Sequence, residues 1–153
     1  MNKTIIYSFL FFFALSLNSC SNESDSNNSA IDLLSIKVSS WKSVNVAKFN
    51  KKIDIAAKQG AQWVKDPISV TRKYSYWPGR TALIFIKGSG ERPSEYKITI
   101  IADGFLDDSV RGQRDEIIVI RNQFKIWYLK SVKKAWRCWS DRGHSHYSIE
   151  PCS

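Results

Sequence analysis

No apolar stretch in these 153 residues is long enough to cross a bilayer. The longest, Ile5 to Leu17, runs for about 13 residues, against the roughly 20 that a spanning helix needs. The signatures of several common chemistries are also missing. There is no Gly-x-Ser-x-Gly turn to expose a serine nucleophile. Gly88-Ser89-Gly90 is not followed by the Gly-Lys-Ser/Thr of a phosphate-binding loop. Acids do not alternate around a glycine as a helix-loop-helix calcium site requires. Histidines number two and cysteines three, a thin supply for zinc, which takes three or four protein ligands. Between Ile117 and Ser140 there is no acidic residue at all. No internal repeat and no second linker divides the chain after residue 31.

What is present begins with Lys3 ahead of the apolar run, the charged and hydrophobic regions of an export signal. The run ends in Leu17-Asn18-Ser19-Cys20, which resembles the bacterial lipobox. That resemblance implies removal of residues 1–19 and acylation of Cys20, palmitate included, with ordinary secretion and cleavage nearby as the alternative. Each buried methylene of an acyl chain contributes about 0.8 kcal/mol, so two or more chains hold a protein firmly to a leaflet. Ser21 after the cysteine resembles the sorting signal for the outer membrane. The acidic Ser21-Asn22-Glu23-Ser24-Asp25 is similar to a surface-display tag. Residues 20–30 read as a flexible tether of Ser, Asn and acids, reaching roughly 15 to 20 Å as a coil.

If Cys20 is acylated, Cys138 and Cys152 remain as a pair in an oxidising compartment, where disulfides persist. Two free buried thiols are the alternative. Formal charge is +9, or +8 without Lys3. Such a surplus suits an anionic glycan, lipid head groups, an acidic partner protein or nucleic acid, the last being the least favoured. A merely solvated basic surface accounts for it equally well.

Residues 31–153 form one domain's length of chain, enough to hold a core. Ile31 to Val38 fits either a short strand or a helical turn. Val46, Phe49, Ile53, Ala56, Ala57, Gly60 and Trp63 recur at steps of three and four, which predicts a helix. Asp66-Pro67 then supplies an N-cap and a first helical residue, although Ile68, Val70, Thr71 and Tyr74 would also suit a strand. After Trp77-Pro78-Gly79 the period changes to two. Five runs follow: Thr81 to Lys87, Glu95 to Ala102, Arg114 to Arg121, Phe124 to Lys130 and Lys133 to Ser140. Short connections between them predict antiparallel hairpins. The expected fold is α+β, with N-terminal helices on one side of an antiparallel meander of about five strands.

Candidate chemistry falls in three places. The stretch Asp103 to Glu116 holds five of the fourteen carboxylates. Asp107 and Asp108 there read either as ligands or an acid/base pair, or as caps of turn amides, with the loop's acids pairing to Arg111 and Arg114. His144 and His146 sit on one side of an extended segment near Asp141 and Arg142, as solvent-facing imidazoles or metal ligands. No metal and no cofactor is assigned. Trp127, Tyr128, Trp136 and Trp139, interleaved with basic residues, could stack on rings or pack in the core.

Asp66-Pro67, then Gly104-Phe105-Leu106-Asp107-Asp108-Ser109-Val110-Arg111-Gly112, then Trp136-Arg137-Cys138, Arg142-Gly143-His144 and Pro151-Cys152 together resemble a family of small exported bacterial proteins of unknown function. The resemblance covers most of residues 60 to 153 and brings no activity with it. The order of helix then curved sheet is similar to cystatin-like folds and to the nuclear-transport-factor-2-like fold, which licenses no function. The expectation is therefore a cell-envelope lipoprotein of the outer membrane, held by its N-terminal lipid and acting as a non-catalytic binding module. The alternative is a hydrolytic enzyme using Asp107 or Asp108 with His144 or His146. A lysozyme inhibitor is disfavoured, because two basic proteins repel.

Overall fold

The computed structural model describes residues 32–75 and 81–153; the signal segment, Cys20 and the tether lie outside them. Two helices lie between the short first strand and the rest of the sheet. α1 (Ala47–Lys58) turns its Phe49, Ile53, Ala56 and Ala57 side inward. It ends at Gly60, whose φ of +73° lets Gly60 and Ala61 donate back to the carbonyls of Ala57 and Ala56 at 3.0 Å each. This is the left-handed closure that glycine makes at least cost. A 3-10 turn (Gln62–Lys65) leads to α2 (Pro67–Tyr74). Asp66 caps α2, its Oδ2 accepting from the Ser69 amide at 2.6 Å, and Pro67 fills the first position, whose N–H would have no partner in any case. The helical reading of Asp66-Pro67 prevails over the strand.

Five antiparallel strands form one sheet: β1 (Lys42–Val44), β2 (Thr81–Gly88), β3 (Glu95–Asp103), β4 (Val110–Arg121) and β5 (Trp127–Cys138), in the order β1-β5-β4-β3-β2. The count of five is as expected, but its membership is not. The runs Phe124 to Lys130 and Lys133 to Ser140 belong to the single strand β5, and the fifth strand is the short β1. Register explains the misreading. Val119 pairs with Leu129 and Ile118 with Ser131, so Lys130 is an extra residue that shifts the phase of the alternation. Trp127, Leu129 and Val132 consequently share one core in spite of their mixed parity.

That core joins Ile53 of α1 and Val70 of α2 to Ile98, Ile100, Ile117 and Val119 of the sheet. The other face was expected to meet solvent; Lys97 and Lys133 on it stay exposed, but one end is covered. Ile101, Ala135 and Tyr147 are fully buried there, covered by Leu33, Ile36, Val38 and Trp41 from the start of the described chain. Residues 98–102 of β3 are therefore buried on both sides. This second layer takes part of that face away from solvent, and Trp127 is itself buried on the helix side.

The second layer is stitched by backbone. Tyr147 donates to Lys37 O at 2.9 Å and accepts from Ser39 at 2.8 Å, while Trp136 and Ser148 exchange bonds of 3.0 and 2.9 Å. Cys138, the last residue of β5, is bonded to Cys152, with Cα atoms 5.5 Å apart and a sequence separation of 14. The bridge keeps the tail that carries Tyr147 next to the strand it covers. Replacing both cysteines by alanine is expected to cost about 3 kcal/mol and to lower Tm by roughly 10 °C; scanning calorimetry against the native chain checks this.

Candidate functional site

The loop between β3 and β4 and the residues after β5 form a cleft of about 450 Å³, lined by Gly104 to Asp108, Trp139, Asp141 and Arg142. Its walls are ordered from within. Asp107 Oδ1 accepts from the amides of Ser109 (2.9 Å) and Val110 (2.7 Å) and from the Ser109 hydroxyl (3.1 Å). This is the local turn that aspartate favours. The indole N–H of Trp139 donates to Asp107 O at 2.9 Å, and the Arg111 guanidinium lies 5.3 Å from the Trp139 ring centre, within cation–π range. The Val110 and Ser109 amides, then the Ser109 hydroxyl, hold the Asp107 carboxyl below its ordinary value. Asp107 thus serves as a fixed acceptor at neutral pH and is ill suited to general-acid work.

Four residues singled out in the sequence, Asp107, Asp108, Trp139 and Arg142, meet in this cleft; His144 and His146 do not line it. The two ring nitrogens of His144 face the carbonyl oxygens of His146 (2.8 Å) and Glu150 (3.0 Å), and the two imidazoles lie 5.2 Å apart. His144 braces the tail against itself, and the Asp–His pairing needed for hydrolysis is not assembled. Cys138, Cys152 and His144 offer atoms within 4.8 Å of one another, but both sulfurs are joined in the disulfide and present no thiolate to a metal.

Arg111 and Arg114 do pair with acids of the loop region, though not with Asp107 or Asp108. Asp103 Oδ1 accepts from Arg137 Nη2 at 2.7 Å and Nε at 3.1 Å, with Arg111 Nε at 3.6 Å. Arg114 reaches Glu116 at 3.7 Å and donates to Leu34 O at 3.0 Å, pinning the covering segment. Burial raises the Tyr147 hydroxyl above its ordinary value, against the opposing pull of Arg137. On the helix side, Asp115, 1% exposed, is enclosed by Ser75 Oγ (3.0 Å), Gln113 Nε2 (2.7 Å) and Lys134 Nζ (3.2 Å). Sequence reading did not single out the pairs Asp103–Arg137 and Asp115–Lys134, each of which joins two strands.

The solvent side of α1 is of a different kind. Lys48, Lys51, Lys52, Ile55 and Lys58 are all exposed and fall on one stripe at helical spacing. Among the described residues, none of these four lysines is in an ion pair. Beside them a groove of about 530 Å³ is lined by Asp54, Ala57, Lys58, Asn122, Phe124, Ile126 and Tyr128. Asn122 shapes the β4–β5 turn, its Oδ1 accepting from the amides of Phe124 (2.9 Å) and Ile126 (3.0 Å), and the turn presents Phe124 72% exposed. Nothing in the sequence distinguished these lysines from others, because their isolation from acids is a tertiary property.

Comparison with protein-family models, with curated proteins and with solved structures finds no match to this chain.

The lowered Asp107 pKa sets a direction for acid titration. Order in the loop is expected to be complete above the ordinary aspartate value of 3.8 and to be lost as pH falls through the lower folded value, the sign for a carboxylate stabilised in the native state. Asp107→Ala is expected to speed hydrogen exchange at the Ser109 and Val110 amides at neutral pH; amide exchange by NMR reads both effects.

Proposed function

We propose that the chain is a non-catalytic envelope lipoprotein, anchored through an acylated Cys20, that binds an anionic component through the outer face of α1. The observation that carries this reading is the row Lys48, Lys51, Lys52 and Lys58 around Ile55, which is 57% exposed, next to the groove bearing Phe124. Four ammonium groups without carboxylate partners attract phosphates or acidic sugars from a distance. Ile55 and Phe124 add apolar contact at the same place. Anionic lipid head groups suit this mixture best, since they offer phosphate beside hydrocarbon. The cleft at Trp139 is a poor rival for such a partner, because Asp107, Asp108 and Asp141 outnumber Arg142 there. The commitment of Asp107 to its turn and of both His144 ring nitrogens to tail carbonyls favours binding over hydrolysis.

Acylation and head-group binding are tested separately. Radiolabelled palmitate is expected on the native chain and not on Cys20→Ala. With Cys20→Ala removing acyl insertion, the protein is expected to co-sediment with phosphatidylglycerol vesicles and not with phosphatidylcholine. Binding should fall as the Debye length shrinks from about 30 Å at 0.01 M salt to about 8 Å at 0.15 M. Neutralising Lys51 and Lys52 with glutamine is expected to weaken it roughly thirtyfold, at about 1 kcal/mol per lysine. Equal binding to both vesicle types would sink the assignment.

A further inference from the structure

We propose that β2 pairs edge to edge with β2 of a second copy of this chain, joining two five-stranded sheets. β2 ends the strand order, and no described strand lies beyond it. It is eight residues long, Thr81–Gly88, and its sequence Thr-Ala-Leu-Ile-Phe-Ile-Lys-Gly has no proline and no charge before Lys87. All eight residues pair with β3 without a bulge. Over Thr81–Ile86 the described edge has no proline, charge or bulge, devices by which proteins block strand addition. The opposite edge differs: β1 has three residues and begins with Lys42. The contrast within one sheet separates a protected edge from an open one.

The side chains point to a second copy as the occupant. Any strand added to β2 must extend two apolar layers, because Ile84 joins the helix-side core while Leu83 and Phe85 join the opposite one. Ile86 is 51% exposed and stands in a groove of about 410 Å³ where Pro67, Ile68, Tyr96 and Trp127 lie among Lys65, Asp66 and Arg121, so some apolar surface continues beside the edge. The tether sequence, Ser21 to Ala30, offers nothing apolar before Ala30 and extends neither layer. A twofold axis normal to the sheet makes antiparallel neighbours and keeps like faces together. Placed through Ile84, it sets Ile84 against itself, Leu83 against the partner's Phe85, and Ala82 against the partner's Ile86. Lys87 then meets the partner's Thr81, and no two like charges oppose each other, a conflict that would destabilise the pair.

Light scattering on the intact chain in non-ionic detergent is expected to give two chains per particle. Ile86→Lys, at a half-exposed position the fold tolerates, is expected to give one chain per particle with an unchanged far-UV circular dichroism spectrum. On the native chain, hydrogen exchange of the residue 81–88 amides is expected to slow as protein concentration rises, a readout that needs no variant. A monomeric native chain, a dimer unaffected by Ile86→Lys, or β2 exchange independent of concentration would each overturn the proposal.

Discussion

The bond between Asp103 and Arg137 holds the loop-and-tail end of the molecule in place. One carboxylate oxygen accepts from both Nε and Nη2 of Arg137, and only 8% of the arginine side chain and 13% of the aspartate remain exposed. Removing such a pair from water is costly, and short, charge-assisted geometry is what offsets the loss. Gly112 makes the geometry possible: a Cβ there would stand 2.7 Å from Asp103 Oδ1 and from Ala102 O. The same arrangement ties the end of β3 to β5 at the point where the loop towards Asp107 departs and where Trp139 follows. Cleft, loop and disulfide all stand downstream of it.

Features encoded within a few residues were legible in the sequence. Asp66-Pro67 starts a helix because cap and first-turn residue are adjacent, and Asp107 folds its own turn within three residues. The antiparallel sense of the strands followed from the change of period after Gly79, whereas the count of five agreed only because one strand read as two made up for the short β1. The long fifth strand did not follow, because the single inserted Lys130 flips the alternation and imitates a chain break. The second layer was equally hidden. Leu33, Ile36 and Val38 cover a face finished by Tyr147, and partners more than a hundred residues apart leave no periodic trace.

Charge behaved in the same way. The basic surplus is plain from composition, and the acid-free stretch from Ile117 to Ser140 seemed its natural seat. Folding places much of that stretch in or against the core: Arg137 is buried on Asp103, and Lys134 sits beside Asp115. Four cations in no ion pair among the described residues stand in a row on α1, a segment whose lysines the sequence did not set apart. The carboxylates of the Trp139 cleft gather elsewhere on the surface. The molecule therefore carries separate patches of opposite sign, and its mean charge describes neither.

Residues 33–41 and α1 lie on opposite sides of the sheet. The described chain thus begins on the back of the domain, while the lysine row looks out from the front. The twelve residues after Cys20 stretch at most to about 40 Å, whereas helix, sheet and covering segment stack at about 10 Å per layer. Under the acylation proposed for Cys20, a chain standing upright would turn these cations across the gap rather than towards the leaflet that holds it.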